Sequence, residues 1–296
     1  GWSPDSRTPV DVVDTAEANA EERADASEDD EALSAIPAWQ TIATHGAQVG
    51  SEAAVLSRGL DQRIVRLLEL AGRWHDAGKA LPPFRQSIKT VEWAHRHDLA
   101  KAPPEAWLPP RQMYPDPARR RRRGLRHELA STLALFDVLV RHEPRHSALL
   151  GPWLELMNAA GWRTTAEAAA VAEPSPLERE ILGLDADDFD LLAYLVCTHH
   201  GKVRVAWHAS VADQEADDTV LRLRGVRDGE LLPAVMLVAG DGSHQLLPQS
   251  RMRLETAAAG LNPVTGRGWT ERVLGLLQAH GPFALAYLEA LLRAAD

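Results

Sequence analysis

The chain has a single cysteine, Cys197, in 296 residues. That excludes an internal disulfide and any Cys-x-x-Cys metal knuckle, and it suits a reducing compartment. Long apolar runs are missing as well: none approaches the roughly 20 residues that a membrane-spanning helix needs. The N-terminus lacks the basic-then-apolar layout of a signal peptide. A cytoplasmic protein with no membrane partner is therefore expected. The chain opens on Gly1 rather than Met, as expected of a fragment or processed product of something longer. There is no Gly-x-x-x-x-Gly-Lys-[Ser/Thr] phosphate loop and no Gly-x-Gly-x-x-Gly fingerprint, which excludes ATP or dinucleotide binding by those routes. No internal repeat of the solenoid kind is visible.

Charge is present but unevenly placed. The net charge is −10, and residues 1–35 alone contribute −9 of it, with eleven acids against Arg7 and Arg23. An acidic, Ala/Ser/Asp-rich lead without apolar periodicity reads as a disordered linker over residues 1–36. Residues 37–296 then form the folded domain, near neutral overall. Within it Arg119, Arg120, Arg121, Arg122, Arg123 and Arg126 form a basic cluster that a phosphate-bearing ligand could use, unless it is simply a solvated loop.

Helical periodicity dominates that domain. Ile42, His45, Val49, Ala53 and Leu56 repeat at helical spacing, and Ile64, Leu68, Ala71 and His75 form the apolar stripe of a second helix over 62–77. Gly78 is expected to stop it, and Pro82-Pro83 to prevent its resumption. Leu129, Leu133, Phe136 and Val140 share one face of a helix from His127, and Phe189, Leu192, Val196 and His199 share one over 185–200. Between about 203 and 256 the pattern changes: Leu231 to Val238, followed by Gly240-Asp241-Gly242-Ser243, reads as a strand and turn. Helices over 270–279 and 283–296 close the chain. The expected class is an all-α bundle with a small irregular or β insertion.

Twelve histidines guarantee some chance adjacency, so placement has to discriminate. Five positions set a histidine or aspartate on an apolar helical face: His45, the His75-Asp76 pair, His127, the His199-His200 pair and Asp296. Each alone has an ordinary reading as a hydrogen-bonded core or surface residue. Converging together they would form a cage of imidazoles and carboxylates, which is the chemistry of a metal site. Two similar tracts lack that context. His97-Asp98 lies in a polar segment, and Arg141-His142-Glu143 stands at a helix end beside Pro144, so both are assigned to the surface. His146, His208, His244 and His280 are left aside for the same reason.

The ordered motifs resemble the HD-domain metal-dependent phosphohydrolases. More narrowly, His75-Asp76-Ala77-Gly78-Lys79-Ala80-Leu81-Pro82-Pro83-Phe84, Arg126-His127-Glu128-Leu129-Ala130-Ser131 and His199-His200-Gly201-Lys202-Val203-Arg204 resemble the HD nuclease domain of the CRISPR-associated helicase-nuclease of type I systems. The acidic lead suggests the subtype in which the nuclease follows the helicase. The resemblance implies two divalent ions sharing Asp76, one held by His45, His75, Asp76 and Asp296, the other by Asp76, His127, His199 and His200. Asp241 is the rival to Asp296, but a Gly-Asp-Gly turn suits an inward helical ligand less well. Only a carboxylate can bridge two ions, so Asp76 is the expected catalytic centre, with Lys79 either contacting a substrate phosphate or merely ending the helix in solvent. Imidazole-rich ligands favour Mn, Fe, Co or Ni, with Mg possible but disfavoured by its preference for oxygen.

The expected function is hydrolysis of single-stranded DNA delivered by a helicase domain or subunit outside this chain, with a CRISPR effector complex as partner. Arg119 to Arg126 lead into His127, and Lys202 and Arg204 follow His200, so basic groups flank two ligand positions. Two other readings remain at this point: an HD phosphohydrolase acting on nucleotides or cyclic nucleotides, and a nonenzymatic helical interaction module whose histidines are structural.

Overall fold

A computed structural model describes residues 38–89, 98–109, 112–115, 122, 125–164, 172–201, 205–207, 209, 213 and 219–296. The acidic lead lies outside them. So do His97, His208, Lys202, Arg204 and all of the arginine cluster except Arg122 and Arg126.

Strand β1 (Gln40–Thr41) runs directly into helix α1 (Ile42–Leu56). Thr41 caps that helix, its hydroxyl accepting from the Thr44 amide at 3.1 Å, which satisfies one of the donors a helix start leaves open. Helix α2 (Gln62–Trp74) is capped likewise by Asp61. The two helices cross at van der Waals limits because glycine faces glycine. A Cβ added to Gly72 would lie 2.6 Å from the Gly50 amide nitrogen. The apolar stripe of α1 ends at Ala53, since Leu56 is exposed where the helix runs past the end of that contact.

Beyond α2 the chain turns through His75 and Asp76 into a 3-10 turn (Ala77–Ala80) and the short helix α3 (Pro82–Arg85). Two sequence expectations change here. The helix stops at Trp74, four residues before Gly78. That glycine is required by close approach instead, because a Cβ there would sit 2.0 Å from the His127 carbonyl oxygen. And Pro82-Pro83 start a helix, occupying the first-turn positions where a missing amide costs nothing.

The core is built around α4 (His127–His142), whose residues are buried from His127 through Val140. Phe136 meets Phe189 edge to face at 5.0 Å, joining α4 to α7 (Ala186–Thr198). Each such side chain contributes about 1.5–3 kcal/mol by burial. Helices α5 (Leu154–Ala159) and α6 (Pro176–Leu182) lie between them in sequence, the latter opened by a Ser175/Glu178 capping box.

The β content consists of antiparallel pairs of two strands. Strand β2 (Leu99–Lys101) pairs with β1, Gln40 opposite Lys101. The others are β3 (Arg222–Leu223) with β4 (Val226–Arg227), β5 (Leu231–Leu232) with β8 (Ser250–Arg251), and β6 (Val235–Val238) with β7 (His244–Leu247). Last comes β9 (Leu261–Asn262) with β10 (Gly266–Arg267). The β6–β7 hairpin turns at the expected Gly240-Asp241-Gly242-Ser243, and strand pairing continues beyond 256 to Arg267.

The two expected closing helices form one kinked element, α8 (Trp269–Ala295), bent at Gly281 (φ 78°) and Pro282. Arg272 is buried and ties α8 to α7 by donating to Asp190, and also to the carbonyls of Ala148 (2.7 Å) and Thr265 (2.8 Å). Tyr194 donates its hydroxyl to Glu289. No helix among the described residues is long and apolar enough to cross a membrane.

Gly78→Ala should destabilise the protein by at least the ~1–3 kcal/mol typical of overpacking, because its obstacle is backbone rather than a movable side chain. Denaturant melts of the variant beside the unsubstituted protein measure this; equal midpoints would disprove the close-approach reading.

Candidate metal centre

Five imidazoles and two carboxylates converge where α1, α2, α4, α7 and α8 meet. His45 comes from the second turn of α1, and His75 and Asp76 from the end of α2. His127 begins α4, His199 and His200 follow α7, and Asp296 ends α8. All but Asp296 are buried as whole residues, and its side chain is only 5 % exposed. Three overlapping groups each hold their donor atoms within 4.8 Å of one another: His127, His199 and His200; His45, His75 and Asp76; His75, His199 and Asp296.

The distances define two ends. Asp76 Oδ1 lies 3.2 Å from His127 Nε2 and 3.5 Å from His75 Nε2, and His127 Nε2 faces His200 Nε2 at 3.2 Å. At the other end Asp296 Oδ1 is 2.9 Å from His45 Nε2 and 3.8 Å from His75 Nε2. Asp76 Oδ2 is 3.6 Å from His45 Nε2. Asp76 therefore stands between the two ends. The rival Asp241 is on an exposed turn, accepting from the Ser243 amide at 2.8 Å.

Two rings are oriented by backbone carbonyls. His75 Nδ1 is 2.7 Å from the Gly72 oxygen and His199 Nδ1 is 2.8 Å from the Val196 oxygen. A carbonyl only accepts, so Nδ1 carries the hydrogen and Nε2 turns its lone pair into the cage. His199 Nε2, fully enclosed, makes no hydrogen bond among the described residues. A buried lone pair with no donor normally costs stability, and a metal ion is the partner that fits it.

Electrostatics favour the neutral, ligating form at His199, His200 and His45 and the protonated form at His75. Burial, followed by neighbouring imidazoles, pushes His199 and His200 well below the ordinary histidine value, leaving them neutral as ligands must be. For His45 burial prevails over the pull of Asp296 and Asp76, so it also is lowered. For His75 burial is outweighed by Asp76 and Asp296, which hold it above its ordinary value. Burial opposes ionisation of Asp76, but His75, Lys79 and His127 overcome it and keep the carboxyl well below the usual range. At Asp296 the same opposition is overcome by His45, His75 and Lys101.

Lys79 does not end the helix in solvent. It is 1 % exposed, with Nζ 2.9 Å from Asp76 Oδ2 and 5.4 Å from the Phe84 ring centroid. Sequence reasoning gave no role to two further residues. Lys101 Nζ is buried 3.0 Å from Asp296 Oδ1; a lysine directly after the apolar Leu99-Ala100 was the only signal. Ser131 Oγ donates to the His75 carbonyl at 2.6 Å and accepts from the Gly78 amide at 2.8 Å, pinning the His75-Asp76 turn to α4.

The described members of the basic cluster face inward. Arg122 donates to Glu230 at 2.6 Å and to the Gly225 carbonyl at 3.2 Å, and Arg126 is buried with Nε 3.9 Å from Glu128. His142, assigned to the surface, is in fact partly buried: it lies 3.1 Å from Glu178 Oε1, which Arg141 also contacts at 3.1 Å. The reason is α6, whose N-terminal carboxylate packs on the end of α4. His146 is likewise buried, its Nδ1 accepting from the Ala148 amide at 3.1 Å.

A family model described as the HD domain of Cas3 matches residues 30–264, a span that contains every cage residue but Asp296. The chain belongs to the Cas3 HD-domain family. No curated protein and no solved structure matches it. Membership makes it a hydrolase, a metal-dependent nuclease of CRISPR defence, with nucleic acid as its substrate. The Cas3-type HD domain binds divalent metal, and the buried imidazole-carboxylate cage is where this chain can hold it.

The Glu178 contact gives a pH test of the second Arg-His-Glu triplet. Burial opposes ionisation of Glu178, but Ser175, His142 and Arg141 hold its carboxyl below the ordinary 4.5. A carboxyl depressed in the folded state stabilises above its unfolded value and loses that contribution as pH falls through the folded one. Glu178→Gln should therefore lower the melting temperature at pH 7 by roughly a few degrees. The gap from the unsubstituted protein should close below pH 4.5 and nuclease activity should persist; a gap independent of pH would refute the assignment.

Proposed function

We propose that this chain cleaves single-stranded DNA with two divalent ions that share the carboxylate of Asp76. His45, His75 and Asp296 complete one position, and His127, His199 and His200 the other. The observation that carries the reading is the placement of Asp76 between two clusters of inward-facing Nε2 atoms, one of which, on His199, has no hydrogen-bond partner among the described residues. The imidazole-rich set favours Mn, Fe, Co or Ni over Mg. When bound, such ions supply a nucleophile at neutral pH and neutralise charge on the attacked phosphate.

The chain's own residues hold the geometry. Ser131 fixes the turn that presents Asp76, and the carbonyls of Gly72 and Val196 fix the His75 and His199 rings. Lys79, beside Asp76 Oδ2, offsets the carboxylate charge and offers a cation to a substrate phosphate. Residues 1–36 serve as a linker and 37–296 as the nuclease domain. Arg119, Arg120, Arg121 and Arg123 before His127, and Lys202 and Arg204 after His200, supply positive charge along the path of the strand. The strand is delivered by a helicase domain or subunit recruited to a CRISPR effector complex, in the cytoplasm.

Asp76→Asn should lower cleavage of single-stranded DNA by a factor on the order of 10³, matching several kcal/mol of lost charge stabilisation, while circular dichroism stays unchanged. Cleavage at the original rate would overturn the metal mechanism. Faster turnover of nucleoside triphosphates or cyclic nucleotides than of DNA would instead support a nucleotide hydrolase. No uptake of any transition metal would leave the interaction module.

A further inference from the structure

The two carboxylates of the cage are each met by a buried ammonium group, and the two ammonium groups are not equivalent. Lys79 sits on Asp76, the residue common to both cation positions, so its charge opposes both. Lys101 sits on Asp296, at one end only. The oxygen it contacts, Oδ1, is the same one that His45 Nε2 approaches at 2.9 Å. At the far end, Asp76 Oδ1 is approached by the imidazoles of His127 and His75.

The fold holds Lys101 in that place. It ends strand β2 opposite Gln40 of β1, and β1 continues without a break into α1 and His45. The same strand pair thus sets the lysine and the histidine on one carboxylate. With 3 % of its surface exposed, Lys101 has no solvent into which its ammonium can swing when a second positive charge arrives.

We infer that Lys101 is a built-in cation that makes the two metal positions unequal, weakening the one formed by His45, His75, Asp76 and Asp296. This rests on the two-ion reading above. A fixed positive charge a few ångströms from a divalent ion, at the effective dielectric of a protein interior, is enough to separate two affinities by at least about an order of magnitude. The His127 end then fills first. Over a range of free metal concentration the cage holds one ion, and the second enters only when metal is plentiful, so the lysine makes loading responsive to metal supply.

The test is a titration of the chelator-stripped chain with Mn²⁺, followed by calorimetry and by the paramagnetic coupling that appears when two Mn²⁺ ions are neighbours. Two steps are expected, at least about tenfold apart. Lys101→Gln removes the charge but keeps a donor for Asp296, and Lys101→Met removes both. In whichever variant remains folded by thermal melting, the second step should tighten about tenfold or more, with the first unchanged. Lys101→Arg should keep the original separation, and Asp296→Asn should abolish the second step. Two steps whose spacing does not change in Lys101→Gln or Lys101→Met would overturn the role of Lys101 and leave the two-ion reading standing. A single step in the unsubstituted protein and in both charge-removing variants would overturn the two-ion reading and this inference with it.

Discussion

The carboxylate of Asp76 is 1 % exposed, and keeping a negative charge there without compensation would cost several kcal/mol. Much of the surrounding structure is explained by that one demand. Lys79 supplies a buried ammonium one 3-10 turn along the chain. His75 and His127 lie within reach of its other oxygen. The turn carrying it is too tight for a side chain at residue 78, and Ser131 of α4 satisfies the His75 carbonyl and Gly78 amide that the end of α2 leaves open. The end of a helix is a suitable place for such a group. There the backbone leaves its regular hydrogen bonding, and two consecutive side chains can face the same cavity.

Asp296 reaches the same cage from the far end of the sequence, so its position depends on tertiary packing over a long range. Arg272 anchors the first half of α8 through Asp190, and Tyr194 with Glu289 holds the second half against α7. The bend at Gly281-Pro282 joins the two halves. A buried ion pair adds little net stability, but removing one partner is costly. Such contacts thus fix where a helix lies more than they strengthen the fold.

The helices and the members of the cage could be read from the sequence because both follow from local periodicity. A histidine at the spacing of Phe189, Leu192 and Val196 must face inward wherever that helix packs. What periodicity cannot supply is the identity of the partner. Lys79 was left between contacting a substrate phosphate and ending the helix in solvent, because its pairing with Asp76 depends on a 3-10 turn that Ala77-Gly78-Lys79-Ala80 does not announce. Lys101 was passed over because its role exists only through strand pairing with residue 40. Gly78 was assigned to stopping a helix when its real constraint is a carbonyl 49 positions further along the chain. Two arginines of the basic cluster show the opposite case, and the other four lie outside the described residues. Local charge density suggested a surface patch, but Arg122 is taken up by Glu230 and Arg126 by the interior.

The two Arg-His-Glu triplets show why context outranks motif. They stand at opposite ends of one helix, α4, with the same residue types in the same order. At the N-terminal end the first turn of α4 meets the end of α2 and the end of α7, both of which bring unsaturated side chains, so His127 faces Asp76 and His200. At the C-terminal end the neighbour is the start of α6, whose capping glutamate is already held by Ser175, and His142 pairs with that one carboxylate. That carboxylate is satisfied by ordinary hydrogen bonds from His142, Arg141 and the Ser175 amide. Five imidazoles and two carboxylates cannot all be satisfied in that way, because each neutral ring has only one hydrogen to give and His75 and His199 have already given theirs to backbone carbonyls. The surplus of lone pairs pointing inward, rather than any dipeptide, is what suits one end of α4 to a metal ion and the other to a piece of scaffold.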